Sequence, residues 1–248
     1  DEMKTNLFDA NIAIIGDDQI NDDVLSNCTE LGLLIKWGVG IDNIEIENKE
    51  IYPKLTILNS PADIYIDVAE HIIFLIGSLY KKISIIDYNL RATSSWSKPI
   101  GNRLAKKNIG IIGYGMVGKQ VAKLLNSFDT NIHFYDPNVD TENVEYAAKQ
   151  NLEYIQKKCE VIIISSPLNK QTYQLINKSF FNSLKKSPII INISRGKIIN
   201  ENDLIDALEN KLISGCALDV FEIEPLEKNN KLKNFENVIL SSHNASNT

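Results

Sequence analysis

The chain has 248 residues, 44% of them hydrophobic, and a formal net charge of −6 from 26 basic and 32 acidic side chains. This is enough apolar content for one large core or two smaller ones, with two domains the better expectation. The interleaved charge lacks the concentrated basic stripe that phosphate backbones attract, which argues against nucleic acid as a direct ligand.

The chain starts at Asp1 rather than Met, and its last strand signal lies almost at its end, so clipping at both termini is expected. Ile12 to Ile15, Leu33 to Lys36 and Leu55 to Leu58 are predicted as three short strands, with a helix over Asp23 to Thr29; together they describe a small α/β unit. From Val68 to Leu90 the apolar residues fall at helical spacing and predict one long connecting helix, followed by a polar loop from Arg91 to Arg103. Its longest apolar stretch, Ile72 to Leu79, is broken by Gly77 and Ser78 and is far too short to cross a bilayer, so no membrane partner is expected. A signal peptide pattern is also missing. Cys28, Cys159 and Cys216 are too scattered for a disulfide framework or paired metal ligands, so no metal is expected and a cytoplasmic location fits.

From Asn108 onward, short β-branched runs alternate with helical segments, the pattern of a parallel sheet covered on both faces. Strands are predicted at Ile109 to Ile112, Ile132 to Tyr135, Val161 to Ser165, Ile189 to Asn192, Cys216 to Leu218 and Val238 to Leu240. Helices are predicted at Val117 to Asn126, Lys178 to Leu184 and Asn202 to Glu209, the last with Asn200 as a good N-cap. Strand and helix alternate as βαβαβ.

Gly113-Tyr114-Gly115-Met116-Val117-Gly118 follows one of these strands and opens a helix, the context that the G-x-G-x-x-G motif needs. Gly113 permits the tight turn, Gly115 lets backbone approach a pyrophosphate, and Gly118 lets the helix pack closely while its first amides face the phosphates. The next strand ends in Asp136, whose carboxylate can accept hydrogen bonds from both ribose hydroxyls. The 2′-phosphate of NADP would meet that negative charge with no Arg following it, so the cofactor expected is NAD.

Further motifs occur in one order along the chain: Gly38-Val39-Gly40-Ile41-Asp42-Asn43, Asn59-Ser60-Pro61 with Val68-Ala69-Glu70-His71, the glycine turn, Ser166-Pro167-Leu168, Asn192-Ile193-Ser194-Arg195-Gly196, Leu218-Asp219-Val220-Phe221-Glu222 with Glu224-Pro225, and Ser242-His243-Asn244-Ala245. With them the chain resembles the D-isomer-specific 2-hydroxyacid dehydrogenases, phosphoglycerate dehydrogenases among them, over nearly its whole length. The resemblance implies a doubly wound parallel-sheet (Rossmann) NAD domain, residues 91–243, inserted in a smaller flavodoxin-like α/β substrate domain, residues 1–90, to which 244–248 begin the return. It implies an active site in the cleft between them and a homodimer formed through the cofactor domains. Arg195, Glu224 and His243 would be the catalytic trio. Ser60, Met116, Val117, Ser166, Ile193 and Asp219 would contact the cofactor, Asp219 at the nicotinamide carboxamide. The amides of Val39 and Gly40 would bind the substrate carboxylate, and Lys36 stands where phosphoglycerate-type members often carry Arg.

The trio suits the chemistry. Reducing a 2-keto acid needs a cation for its carboxylate and carbonyl, a proton donor for the oxygen, and a hydride. Arg195 follows a strand end and offers a bidentate fork; His243 would give the proton while Glu224 accepts a hydrogen bond from its other ring nitrogen and favours imidazolium. Of the other histidines, His133 lies in a buried strand and His71 among apolar helical neighbours, so both read as packed residues. The family pattern usually has Pro before the catalytic His and small residues such as Gly after it; here Ser242 precedes His243 and Asn244-Ala245-Ser246 follow. The expected function is NAD-dependent hydride transfer with a small D-2-hydroxy or 2-keto acid, 3-phosphoglycerate-like substrates included. An NAD-sensing corepressor-like protein, or a phosphite or formate dehydrogenase on the same scaffold, are the alternatives.

Overall fold

The computed structural model describes the chain apart from residues 1, 17, 48, 61, 62 and 141–143, so Pro61 of the Asn59-Ser60-Pro61 motif lies outside the described residues. The chain divides into two compact units, Asp1–Ile64 and Tyr65–Thr248.

The first unit runs α1 (Glu2–Leu7), β1 (Ile12–Ile15), β2 (Ile20–Asn21), α2 (Asp22–Leu25), β3 (Leu33–Lys36), β4 (Ile44–Glu45) and β5 (Thr56–Asn59). Its main sheet has the order β1-β3-β5, all parallel, while β2 and β4 form a separate short pair. Ala13, Ile15 and Leu34 point to one side of the sheet and share a core with Leu7, Val24, Leu25 and Leu31. Asn21 caps α2 by accepting a hydrogen bond from the Val24 amide. This helix is shorter than the Asp23 to Thr29 expected: the Ser26 hydroxyl bonds the Asp23 carbonyl, and such side chains compete with the helical ladder.

The second unit contains α3 (Ile64–Lys81, which starts at the boundary), α4 (Ile83–Thr93), β6 (Asn108–Ile112), α5 (Met116–Asn126), β7 (Asn131–Tyr135), β8 (Ala148–Lys149), α6 (Leu152–Lys158), β9 (Val161–Ile164), α7 (Lys178–Asn182), β10 (Ile189–Asn192), α8 (Glu201–Glu209), β11 (Gly215–Leu218) and β12 (Val238–Leu240). The seven strands make one parallel sheet in the order β12-β11-β10-β9-β6-β7-β8. Strand order reverses between β6 and β9, the place where doubly wound sheets open a ligand crevice. Each central strand serves both faces. Val161 and Ile163 of β9 pack with Ala69, Ile72 and Val121 from α3 and α5. Ile162 and Ile164 pack on the opposite side with Ile155, Phe180 and Leu204 from α6, α7 and α8.

The single helix expected over Val68 to Leu90 is two helices. Lys82 adopts the left-handed conformation between α3 and α4, with φ 56°. The division follows burial: α3 packs Ala69, Ile72, Leu75, Ile76 and Tyr80 inward, while α4 buries none of its residues. The helical run also extends to Thr93, into the stretch expected to be loop. No helix among the described residues is long and apolar enough to cross a membrane.

Candidate active site

The glycine turn connects β6 to α5 at the sheet's reversal point. Gly113 has φ 92°, and a Cβ there would lie 2.4 Å from the amide nitrogen of Ser166, so the chain leaving β6 lies directly against the chain leaving β9. A Cβ at Gly118 would come within 2.5 Å of the Gly113 carbonyl oxygen, whereas a Cβ at Gly115 would meet nothing within 4 Å. The turn is thus closed on its protein side and open at Gly115. The Lys119 amide donates to the Gly115 carbonyl at 3.0 Å, which leaves the amides of Met116, Val117 and Gly118 ahead of the helical ladder. Tyr114 anchors the turn from below: its ring stacks on Phe134 at 4.0 Å and its hydroxyl donates to the Glu145 carbonyl at 3.0 Å.

Beyond these strand ends lies a cleft of about 360 Å³ lined by Gly113, Asp136, Ser166, Pro167, Asn169 and Thr172, among others. Asp136 is fixed by two backbone amides, Tyr114 on Oδ2 at 2.8 Å and Asn138 on Oδ1 at 2.9 Å. A carboxylate has about four acceptor sites, so each oxygen keeps capacity for a ribose hydroxyl. Ser166 is buried, and its Oγ has no hydrogen-bond partner within the protein. An orphaned hydroxyl in a cleft beside an open glycine turn fits a nucleotide that brings its own donors and acceptors. Asn169 and Thr172, which the sequence reading missed, shape the far wall: Asn169 Oδ1 accepts from the amides of Gln171 and Thr172, and Thr172 Oγ1 donates to the Pro167 carbonyl. Their signal was an Asn-x-x-Thr turn following a strand.

Three adjacent strands, β10, β11 and β12, lead to the remaining candidates. After β10, buried Asn192 organises the turn that carries Ile193 and Arg195, accepting from the Ser194 amide at 3.1 Å and donating to the Arg195 carbonyl at 3.0 Å. Ser194 Oγ donates to the Ser166 carbonyl, joining this turn to the exit of β9. Partly buried Arg195 donates from one guanidinium nitrogen to the Ser194 carbonyl at 2.8 Å. After β11, Asp219 is buried, and Glu224 lies in the turn beyond, its Oε1 accepting from the Phe221 amide at 2.9 Å. After β12 comes His243, with φ 55° and its amide donating to the Asp219 carbonyl at 2.8 Å. His243 Nδ1 and Glu224 Oε2 are 2.9 Å apart. The segment that departs from the family pattern is anchored, because Asp219 also accepts from the Asn244 and Ala245 amides, at 2.9 and 3.0 Å.

In the first unit, Lys36 ends β3 with only 4% exposure, its Nζ donating to the Trp37 carbonyl at 3.3 Å. Gly38 follows with φ 130°, and the Ser60 amide donates to the carbonyls of Lys36 and Gly38 at 3.0 and 3.2 Å. Val39 is exposed, its carbonyl accepting from the Asn59 side chain, and Gly40 is half-buried.

Neither remaining histidine is fully satisfied. His133 pairs its Nε2 with the Tyr154 hydroxyl at 3.4 Å, its Nδ1 is buried without a partner, and burial lowers its pKa. His71, read from sequence as a packed residue, has a buried Nε2 without a hydrogen-bond partner, 3.8 Å from Asp219 Oδ1. All three cysteines are free and buried, and desolvation pushes the Cys159 thiol up to about 12.

Residues 73–245 match the family described as "D-isomer specific 2-hydroxyacid dehydrogenase, NAD binding domain". The chain is 35% identical to a glyoxylate reductase of Thermofilum pendens, over 93% of the chain and 70% of that protein. It is 32% identical to the D-3-phosphoglycerate dehydrogenase of Bacillus subtilis, over 98% of the chain but 46% of that longer protein. Among solved structures, the D-lactate dehydrogenase of Aquifex aeolicus complexed with NAD and lactic acid superposes with a TM-score of 0.86 at 25% identity, over 99% of the chain and 79% of that protein.

Proposed function

Because the chain belongs to the D-isomer-specific 2-hydroxyacid dehydrogenases, NAD-dependent oxidoreductases of parallel-sheet α/β fold, we propose that Arg195, Glu224 and His243 perform its chemistry on a small 2-keto or D-2-hydroxy acid. The observation that carries this reading is the 2.9 Å contact between His243 Nδ1 and Glu224 Oε2, which joins the segments after β12 and β11; β11 in turn neighbours β10, the strand that leads to Arg195. With Nδ1–H donating to Glu224, the imidazole holds its transferable proton at Nε2. His243 gives that proton to the carbonyl oxygen during reduction and takes it back during oxidation. Arg195 binds the carboxylate and polarises the carbonyl. Bound NADH supplies the hydride.

In the second unit Asp136 would hold the adenosine ribose, the amides of Met116 to Gly118 would bind the pyrophosphate, and Ser166, Ile193 and Asp219 would complete the cofactor contacts; Ser60 is the proposed cofactor residue of the first unit. Within the first unit, Val39, Gly40 and Lys36 are proposed as substrate-binding residues, Lys36 acting as a point charge rather than a fork.

The protein is proposed to be a cytoplasmic homodimer. Three free, buried cysteines support a reducing compartment. For the dimer, α4 buries nothing yet carries exposed Ile83, Tyr88 and Leu90, next to exposed Trp96 and Ile100. Stopped-flow oxidation of NADH with glyoxylate, pyruvate, hydroxypyruvate and phosphohydroxypyruvate tests the reaction. Turnover with at least one is expected. NADH binding without turnover of any acid identifies a sensor instead, and activity confined to phosphite or formate identifies a different oxidation.

A further inference from the structure

A fully buried carboxylate is unfavourable unless each of its oxygens is partnered. Asp219 has 0% exposure, and the neighbours that hold it are backbone amides: Asn244 on Oδ1 and Ala245 on Oδ2. Its own amide donates to the Asn192 carbonyl at 3.0 Å, and its carbonyl accepts from His243 at 2.8 Å. Asp219 therefore fastens three pieces together, namely the end of β10, the end of β11 and the turn that holds His243 in a left-handed conformation. Each oxygen still has acceptor capacity.

The ionisable side chain facing Oδ1 is His71 of α3, whose Nε2 lies 3.8 Å away. That nitrogen is buried and has no hydrogen-bond partner. The two groups complement each other: a buried acceptor with spare lone pairs and a buried ring nitrogen with nothing to bond. They are slightly beyond hydrogen-bond length, and α3 is held against the sheet by Ala69, Ile72 and Ile76, so imidazole rotation is the motion available to close the gap.

We propose that His71 is a positioning residue for the reaction: its Nε2–H donates to Asp219 Oδ1, fixing the carboxylate that seats the His243 turn. His71 touches neither substrate nor cofactor in this arrangement, and the proposal rests on the reading of Asp219 and His243 given above.

The test compares His71→Phe, which keeps a ring but removes the donor, with His71→Gln, which restores an N–H. Turnover, KM for the keto acid and NADH affinity are measured for both, alone and combined with Asp219→Asn. His71→Phe is expected to lower kcat roughly ten- to a hundredfold and weaken NADH binding, with KM for the acid nearly unchanged. His71→Gln recovers most of the loss, and in the double variant the His71 change adds little to the Asp219→Asn defect. Wild-type behaviour of His71→Phe overturns the proposal, as does a loss that Gln does not rescue and that adds fully to Asp219→Asn. Should the Phe variant fail to fold, His71→Leu against His71→Gln is read in the same way. If the wild-type protein turns over no acid, the catalytic reading fails on its own, and the coupling of His71 to Asp219 is still decided by NADH affinity in the same variants.

Discussion

The two larger sheets among the described residues are built from the same kind of strand and end in different surroundings. Val161–Ile164 of β9 and Ile12–Ile15 of β1 are both four-residue runs of aliphatic side chains in parallel sheets. Every residue of β9 is buried, because α3 and α5 cover one face of the large sheet and α6, α7 and α8 the other. In β1 the exposure alternates: Ala13 and Ile15 are buried while Ile12 and Ile14 stand 62% and 64% exposed. An aliphatic run therefore specifies a strand, but the packed helices decide whether one face or both contribute stability. The proposed catalytic and most proposed cofactor residues project from the ends of the doubly covered strands. Rigid support of that kind is what a hydride transfer geometry needs.

Truncating equivalent side chains on the two sheets should give the largest contrast. Ile163→Ala removes atoms from a packed interior and is expected to cost about 3 kcal/mol, whereas Ile14→Ala is expected to change stability by no more than about 0.5 kcal/mol. Urea unfolding followed for both variants measures this, and equal losses would break the comparison. Next in size is Asp136→Ala, which removes a charged acceptor from the cofactor cleft. It should weaken NADH binding roughly ten- to a hundredfold, with NADPH binding less affected, in a fluorescence titration. The smallest effect is expected from pH. Burial lowers the pKa of His133 below its ordinary 6.5, so the unfolded chain takes up this proton before the folded one does. Its contribution to the second unit is then fully present above about pH 6.5 and is lost as pH falls through the lowered folded value. Melting curves across this range should show the loss, and His133→Phe should flatten it.

Much of the second unit could be read from the chain. β6, β7, β9, β10, β11 and β12 fall within a residue of the expected strands because buried parallel strands are continuous aliphatic runs. β8, β2 and β4 escaped, since strands of two residues are defined by their partners rather than by any run of their own. α6 left a legible mark, Asn151 as a cap and Leu152 and Ile155 at helical spacing, which the reading passed over. The break at Lys82 carried no Gly or Pro, and the apolar period continues across it, so only the change from a packed to an exposed helix reveals it. At the site, the glycine turn and Asp136 follow from spacing alone. The trio came from ordered motifs. His71 could not be assigned, because what distinguishes it from a packed histidine is a carboxylate far away in the chain that the fold brings to 3.8 Å.

His243, oriented by Glu224, is proposed to move the proton of an NAD-dependent reduction. Stopped-flow kinetics and NADH titration of His243→Ala test it most directly. Loss of the proton carrier is expected to lower kcat by about 10² to 10⁴, with NADH affinity within about twofold of wild type. A variant that keeps wild-type turnover would contradict the assignment.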